Sequence, residues 1–306
     1  MNAPLVSVCC ITFNHAPYIR EAMDSFLAQE ADFDFEIVVH DDCSTDGTAD
    51  ILRSYAEAHP GRVRLILQRE NIYSRGERDI FRNVVFPVAR GRYLAICEGD
   101  DYWTDPRKLQ KQVGYMEANP DCGMSYTNFD LLFQDSGKVV RSLFSRSRRN
   151  YRKDYASPAE FVRAMGYAGV ASWVLRRDAL CGVCEFKSLD YTFVWFTHFL
   201  CTTRVWASMD VTCVRRLLRE SVSRSRADLP KMLERQRSLL DTQMRLIDHY
   251  GLDPALKGQC RQDFYRRNLK LFVKMGLGDE LQSAREALRH KNLRETLLLA
   301  YARLFI

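Results

Sequence analysis

The pattern that most constrains this chain is a largely apolar run that stops abruptly at polar or acidic residues and recurs between stretches of helical spacing. Leu5 to Thr12 stops at Phe13-Asn14-His15, and Glu36 to His40 at Asp41-Asp42-Cys43-Ser44-Thr45-Asp46. Tyr93 to Cys97 runs straight into Glu98-Gly99-Asp100-Asp101. Short runs that are apolar throughout, rather than alternating, read as strands covered on both faces. Between them, Pro17 opens a helix whose Ile19, Ala22, Met23, Phe26 and Leu27 share a face. Ile51, Leu52 and Tyr55 mark another helix ahead of a third strand, Val63 to Leu67. Strand and helix alternating in this way give right-handed βαβ units and a parallel sheet. Ligands of such sheets gather beyond the carboxyl ends of the strands. Thr12 to Asn14, Asp41-Asp42 and Glu98 to Asp101 are therefore expected on one edge.

Glu98, Asp100 and Asp101 repel one another, and apolar surroundings raise their pKa values unless a cation or hydrogen-bond donors compensate. Hard oxygen ligands suit Mg²⁺ or Mn²⁺, which leave coordination positions for substrate phosphates. The plainer reading is a solvated acidic turn capping the next helix. Asp105-Pro106 already supplies an N-cap and first helical residue, however, so the three carboxylates are not needed there. The chain has no G-x-G-x-x-G after its first strand and no G-x-x-x-x-G-K-[ST]. Any phosphate must then be held otherwise, by a metal on the carboxylates with help from arginines such as Arg78 and Arg82.

A length of 306 residues allows one large α/β domain or such a domain with a helical extension. The net charge of +6 is mild and its Arg-rich stretches are local. They lack interleaved aromatics, so the expectation is no nucleic-acid partner but an anionic ligand or membrane surface. Cys9, Cys10 and Cys97 fall in strand-like runs, which favours a reduced compartment over disulfides. The N-terminus does not read as a signal peptide and no apolar run reaches the ~18 residues of a membrane span, so a soluble or peripheral protein is expected. Downstream, a helix is expected from Asp105 to Ala118, a strand from Cys122 to Thr127, and a loop from Arg141 to Lys153 that could close over an anion or simply be solvated. Val170 to Arg176 reads as a strand and Arg204 to Arg216 as two short ones. Asp190 precedes the very apolar Thr192 to Leu200, placing a plain N-cap or a positioned base at the lip of a buried helix. Beyond Asp228 the composition turns rich in Leu and Arg, with helices at Pro230 to Tyr250, Asp253 to Met275 and Asp279 to Phe305. Leu293 to Ile306 has an apolar face that could meet a membrane, although packing on the domain is the preferred reading. The expected division is an α/β domain at 1–227 and a helical region at 228–306.

These residues carry a family resemblance. Val6-Ser7-Val8 through Thr12-Phe13-Asn14, then Asp41 through Asp46, then Arg82-Asn83 with Ala89-Arg90-Gly91-Arg92-Tyr93, then Glu98-Gly99-Asp100-Asp101 resemble the successive motifs of family 2 glycosyltransferases. The resemblance implies the GT-A fold, a Rossmann-like, mostly parallel sheet flanked by helices, here with a C-terminal helical extension. It implies an inverting, metal-dependent transferase moving a sugar from a nucleotide-diphosphate donor, a UDP-sugar first among them, to a glycan, glycolipid or polysaccharide hydroxyl. Thr12, Phe13, Asn14, Asp41 and Asp42 take the base and ribose, with Phe13 replacing the usual Tyr and keeping its stacking but not its hydroxyl. Arg78 and Arg82 are candidates for the phosphates. Glu98 approaches ribose or metal, and Asp100 or Asp101 ligates Mg²⁺ or Mn²⁺. Asp190 takes the place of the general base. Arg215-Arg216-Leu217-Leu218 stands where many relatives have Tyr-Arg-x-His, and Leu218 cannot bind metal or phosphate. This leaves open the alternative of a non-catalytic nucleotide-sugar or polyanion-binding module. The implied setting is the cytoplasm or the inner face of the plasma membrane, with a lipid-linked or glycan acceptor.

Overall fold

The structure is a computed structural model and describes residues 3–146, 154–155, 157–183, 188, 190–218, 228–288 and 295–300. Its first half follows the alternation read above. Val6–Thr12 (β1), Phe35–Asp41 (β2), Val63–Leu67 (β3) and Tyr93–Glu98 (β4) lie parallel in the order β3-β2-β1-β4. The β2 strand is buried at every position and β1 nearly so, the signature of a sheet covered on both faces. Ile19–Leu27 (α1) buries Ile19, Ala22, Met23 and Phe26, and Thr48–Ala58 (α2) buries Thr48 and Leu52.

Strand register decides what meets at the carboxyl edge. Thr12 stands opposite Asp41, and Ile11 opposite Glu98. At the other edge, buried Glu36 accepts hydrogen bonds from the Ser7 hydroxyl (2.8 Å) and the Arg90 amide (2.7 Å) and pairs with the Arg90 guanidinium. Gly91 lies so close to β1 that a Cβ there would sit 2.4 Å from the Ser7 nitrogen. The Ala89-to-Tyr93 motif is thus an anchor that fixes the entry of β4 beside β1.

Past β4 the sheet changes character. Tyr102–Trp103 (β5), Cys122–Phe133 (β6), Lys138–Val140 (β7), Val174–Arg176 (β8) and Arg204–Leu217 (β9) extend it in the order β4-β8-β6-β9-β5, with β7 also on β6. The β4–β8, β8–β6 and β9–β5 pairs are antiparallel, whereas β6 and β9 are parallel. The two short strands expected over 204–216 are one long strand, because register shifts at Thr127, Asn128 and Phe129 let the ladder continue past the irregular middle of β9. The strand expected over Val170 to Arg176 begins with a helical turn, Val170–Ser172, so only β8 joins the sheet. The helix expected from Asp105 starts instead at Lys108 and runs to Ala118 (α3). Asp105 caps the turn before it, accepting from the Arg107 amide (2.9 Å) and from Lys111 (2.8 Å). In the Arg141 to Lys153 stretch, Leu143 and Phe144 are buried and Arg141 pairs with Asp130, so its start is packed; residues 147–153 lie outside the described residues.

The chain forms two compact units. One, built from Met1–Tyr155, Gly166–Val183 and Tyr191–Arg219, contains the whole sheet and Tyr191–Thr202 (α5). The other joins Ala156–Met165 and Cys184–Asp190 to Glu220–Ile306. It consists of Pro158–Ala164 (α4), Leu229–His249 (α6), Ala255–Met275 (α7), Gly278–Ala287 (α8) and a short helix at 295–300. Gln243 donates to the Val162 carbonyl (2.6 Å) and Arg163 pairs with buried Asp263 (3.0 Å), which ties α4 into this unit. Leu233, Phe264, Leu269, Phe272, Leu281 and Leu299 form its own core. Of the last helix, expected to reach Phe305, α8 ends at Ala287, and residues 289–294 and 301–306, with most of the Leu293 to Ile306 stretch, lie outside the described residues. Among the described residues no helix is long and apolar enough to cross a membrane.

Candidate active site

The carboxyl edge of the parallel strands collects most of the predicted site residues. Glu98, Asp100 and Asp101 offer carboxylate oxygens within 4.8 Å of one another, the one such metal-competent group among the described residues. The turn that presents them is tight. The Asp101 amide bonds the Glu98 carbonyl (3.0 Å) and the Gly99 amide bonds the Ile11 carbonyl of β1 (2.9 Å). A Cβ on Gly99 would sit 2.8 Å from the Thr12 side chain and 3.0 Å from Ile19. Glycine between two acids is therefore a packing requirement. Gly99→Ala is expected to cost about 1–3 kcal/mol by overpacking, read as a lower melting temperature; an unchanged melt would show that the turn can give way.

Burial first, and then repulsion from Asp100 and Glu98, pushes the Asp101 carboxyl well above the usual carboxylate range. Asp100 is raised too, again mainly by burial, with Arg215 and Arg216 opposing the shift. Clustered acids disfavoured as anions fit a divalent cation, whose charge reverses both effects.

The Arg216 guanidinium locks this turn. It is almost fully buried, donates to the Asp100 carbonyl (2.7 Å) and to Gln134 (2.9 Å), and pairs with Glu21. It also lies 5.0 Å from the ring centroids of both Tyr18 and Tyr102. The Arg216 amide donates to the Asp101 carboxylate (2.7 Å). Arg215, half-buried beside it, reaches over the Tyr167 ring at 4.8 Å. The sequence held a faint sign of both in a doubled arginine at a strand end, but not of which acids they serve.

The first acidic pair splits into two jobs. Asp41, buried, accepts from the amide (3.0 Å) and the hydroxyl of Ser44. The same hydroxyl accepts from the Asn14 amide (2.8 Å), and the Asn14 side chain accepts from the Thr45 amide (2.8 Å). Asn14 takes a positive φ of 54°, which Asn tolerates well, and this turns the chain so that Phe13 is 42% exposed at the rim. Asp42, also buried, is held by the main chain. Its two oxygens accept from the Ile72 (2.8 Å) and Tyr73 (3.1 Å) amides. The Tyr73 ring in turn carries Arg78 at 4.2 Å. Asp42 thereby also holds the segment that bears Arg78.

Arg82 sits half-buried on a single wide helical turn, Phe81–Val85, with its amide on Asp79 (3.3 Å). Burial raises the Asp79 carboxyl to about 6. Asp190 belongs to the helical unit, directly before α5; its amide donates to the Ser188 hydroxyl (3.1 Å), which bonds Thr242 (3.1 Å). Leu218 follows the end of β9 and offers no ligand atom.

The family model for glycosyl transferase family 2 matches residues 7–180. The putative teichuronic acid biosynthesis glycosyltransferase TuaG of Bacillus subtilis is 37% identical over 148 residues, covering 48% of this chain and 56% of TuaG. Mycobacterial relatives are matched over 37% of their length, so the chain spans between 37% and 56% of these curated relatives. In fold, the chain resembles S. aureus TarS 1–349 in complex with UDP-GlcNAc, with a TM-score of 0.64 at 20% identity over 98% of this chain and 87% of that one. It also resembles the mannosyltransferase PcManGT of Pyrobaculum calidifontis in complex with GDP-Man and Mn²⁺, with a TM-score of 0.53 at 19% identity over 99% and 87%. These likenesses give the GT-A architecture the resemblance implied, a mostly parallel sheet with flanking and C-terminal helices. With the family model spanning more than half of its residues, the chain belongs to glycosyl transferase family 2.

Proposed function

We propose that the protein transfers a sugar, with inversion, from a nucleotide-diphosphate donor to an acceptor hydroxyl, using a divalent cation held by Asp100 and Asp101 with Glu98 beside them. The observation that carries this reading is the meeting, at one sheet edge, of Thr12 and Asp41 with the clustered carboxylates of Glu98, Asp100 and Asp101. Phe13 supplies a face for the base, and Asp41, fixed by Ser44, an acceptor for base or ribose. Arg215, whose charge is felt at Asp100 and Asp101, is a candidate cation for the diphosphate alongside Arg78 and Arg82. A bound Mg²⁺ or Mn²⁺ supplies Lewis-acid stabilisation of charge developing on the leaving diphosphate. Asp190 is the proposed base for the acceptor proton.

Solved neighbours bound to UDP-GlcNAc, UDP and GDP-Man support a nucleotide-sugar donor, and a UDP-sugar is the first to test. The name of TuaG, a putative teichuronic acid biosynthesis glycosyltransferase, supports polysaccharide assembly; a glycan or lipid-linked acceptor, met in the cytoplasm or at the inner face of the plasma membrane, belongs to the same proposal. Excess chelator is expected to stop donor turnover, and Mn²⁺ or Mg²⁺ to restore it. Hydrolysis or transfer from a panel of nucleotide sugars reads this directly, and turnover that persists in chelator removes the metal from the scheme.

A further inference from the structure

Lys108, at the first turn of α3, is fully buried, and its ammonium has no hydrogen-bond partner in the structure. An unpaired buried charge is among the most costly things a core can hold. A methionine would fill similar space without that cost. What Lys108 does touch is the Trp103 ring, with Nζ 4.4 Å from its centroid. That ring is held from other sides as well. Its indole N–H donates to the Ala171 carbonyl (2.8 Å) and Phe26 packs against it at 4.8 Å. The Trp103 amide bonds the Ser25 hydroxyl (3.1 Å), and the Thr104 amide bonds the Thr212 carbonyl (2.8 Å).

Trp103 ends β5, the strand that leaves the Glu98-to-Asp101 turn. Fixing the ring fixes the exit of the turn. The buried thiols of Cys97 and Cys213 lie within electrostatic range of both Lys108 and Asp101. Burial brings the Lys108 amine down to about 8, still charged at neutral pH.

We propose that Lys108 is a positioning residue for the cation-binding turn: its ammonium grips the Trp103 ring and, through β5, keeps Glu98, Asp100 and Asp101 converged. The inference rests on the reading of those carboxylates as a divalent-cation site. A ring–cation contact of the usual strength is equivalent to about a tenfold change in an equilibrium constant.

The test is Mn²⁺ binding by the full chain, followed by electron paramagnetic resonance with UDP or GDP present, alongside thermal melts. Lys108→Met is expected to melt at or above the wild-type temperature, because the buried charge is gone, yet to bind Mn²⁺ about tenfold more weakly. Lys108→Arg should regain most of that affinity. Wild-type Mn²⁺ affinity in Lys108→Met overturns the proposal, as does a parallel fall of affinity and melting temperature, the mark of a mere packing role. A wild-type protein that binds no Mn²⁺ withdraws the metal reading itself, and the proposal with it. If Lys108→Met fails to fold, Lys108→Leu carries the test: it also removes the ammonium from the Trp103 ring and should weaken Mn²⁺ binding, while wild-type affinity would overturn the proposal.

Discussion

Asp190→Asn is expected to lower the transfer rate by about 10²- to 10⁴-fold, the usual contribution of a positioned general base, while donor affinity stays near wild type. The carboxamide is close in size and shape to the carboxylate but cannot take a proton from an acceptor hydroxyl at neutral pH. The backbone at this position should survive the change. The Asp190 amide is bonded to Ser188, and Ser188 to Thr242, by groups the substitution does not touch. A variant that melts normally, binds UDP with wild-type affinity and turns over slowly is thus the expected result. Single-turnover kinetics separate the chemical step from product release. Near-normal turnover would reduce Asp190 to a residue that merely starts α5 and would send the search for the base elsewhere.

The second large effect is expected at Arg216. Arg216→Ala removes donors from the Asp100 carbonyl and Gln134, the partner of Glu21, and the cation between Tyr18 and Tyr102. The amide that bonds the Asp101 carboxylate remains. Glu21 is about half exposed, so that ion pair is screened and contributes little. The Asp100 carbonyl, however, loses its charged donor inside the turn, and the loss of several bonds to a buried charge suggests a cost of about 3 kcal/mol. For a protein of 306 residues that lowers the melting temperature by roughly 5 °C. Mn²⁺ affinity should fall with it, because the turn that aims the carboxylates has lost its clamp. Arg216→Lys restores the charge but not the planar fork, and should fall between the two. Full stability and metal affinity in Arg216→Ala would show that the turn holds itself.

Much of the sheet edge that gathers these residues was legible in the sequence. A strand buried on both faces announces itself by an unbroken apolar run, and a parallel sheet allows few orders and one handedness. Where such runs stop at Thr12, Asp41 and Glu98, topology alone brings the stops to one edge. The two amide bonds of Asp42 to Ile72 and Tyr73 were not legible, because nothing in a sequence marks which main-chain amides a carboxylate will meet 30 or 31 residues away. Nor was the cap at Asp105, where a good N-cap pair sits one turn early. The free energy of a cap is about 1 kcal/mol, small enough for the packing of β5 and α3 to shift the helix start to Lys108.

The sequence by itself determined the alternation of strands and helices, the parallel half of the sheet and the clustering of acids at its edge, since each follows from short-range burial patterns and chain handedness. Only the tertiary structure decided what lies behind those acids. Arg216 reaches Asp100 across 116 positions, and Ala171 meets Trp103 across 68. Such contacts exist because β9 pairs with β5 and β8 inserts between β4 and β6. The free-energy difference that selects those neighbours is spread over the whole core and leaves no local mark in the chain.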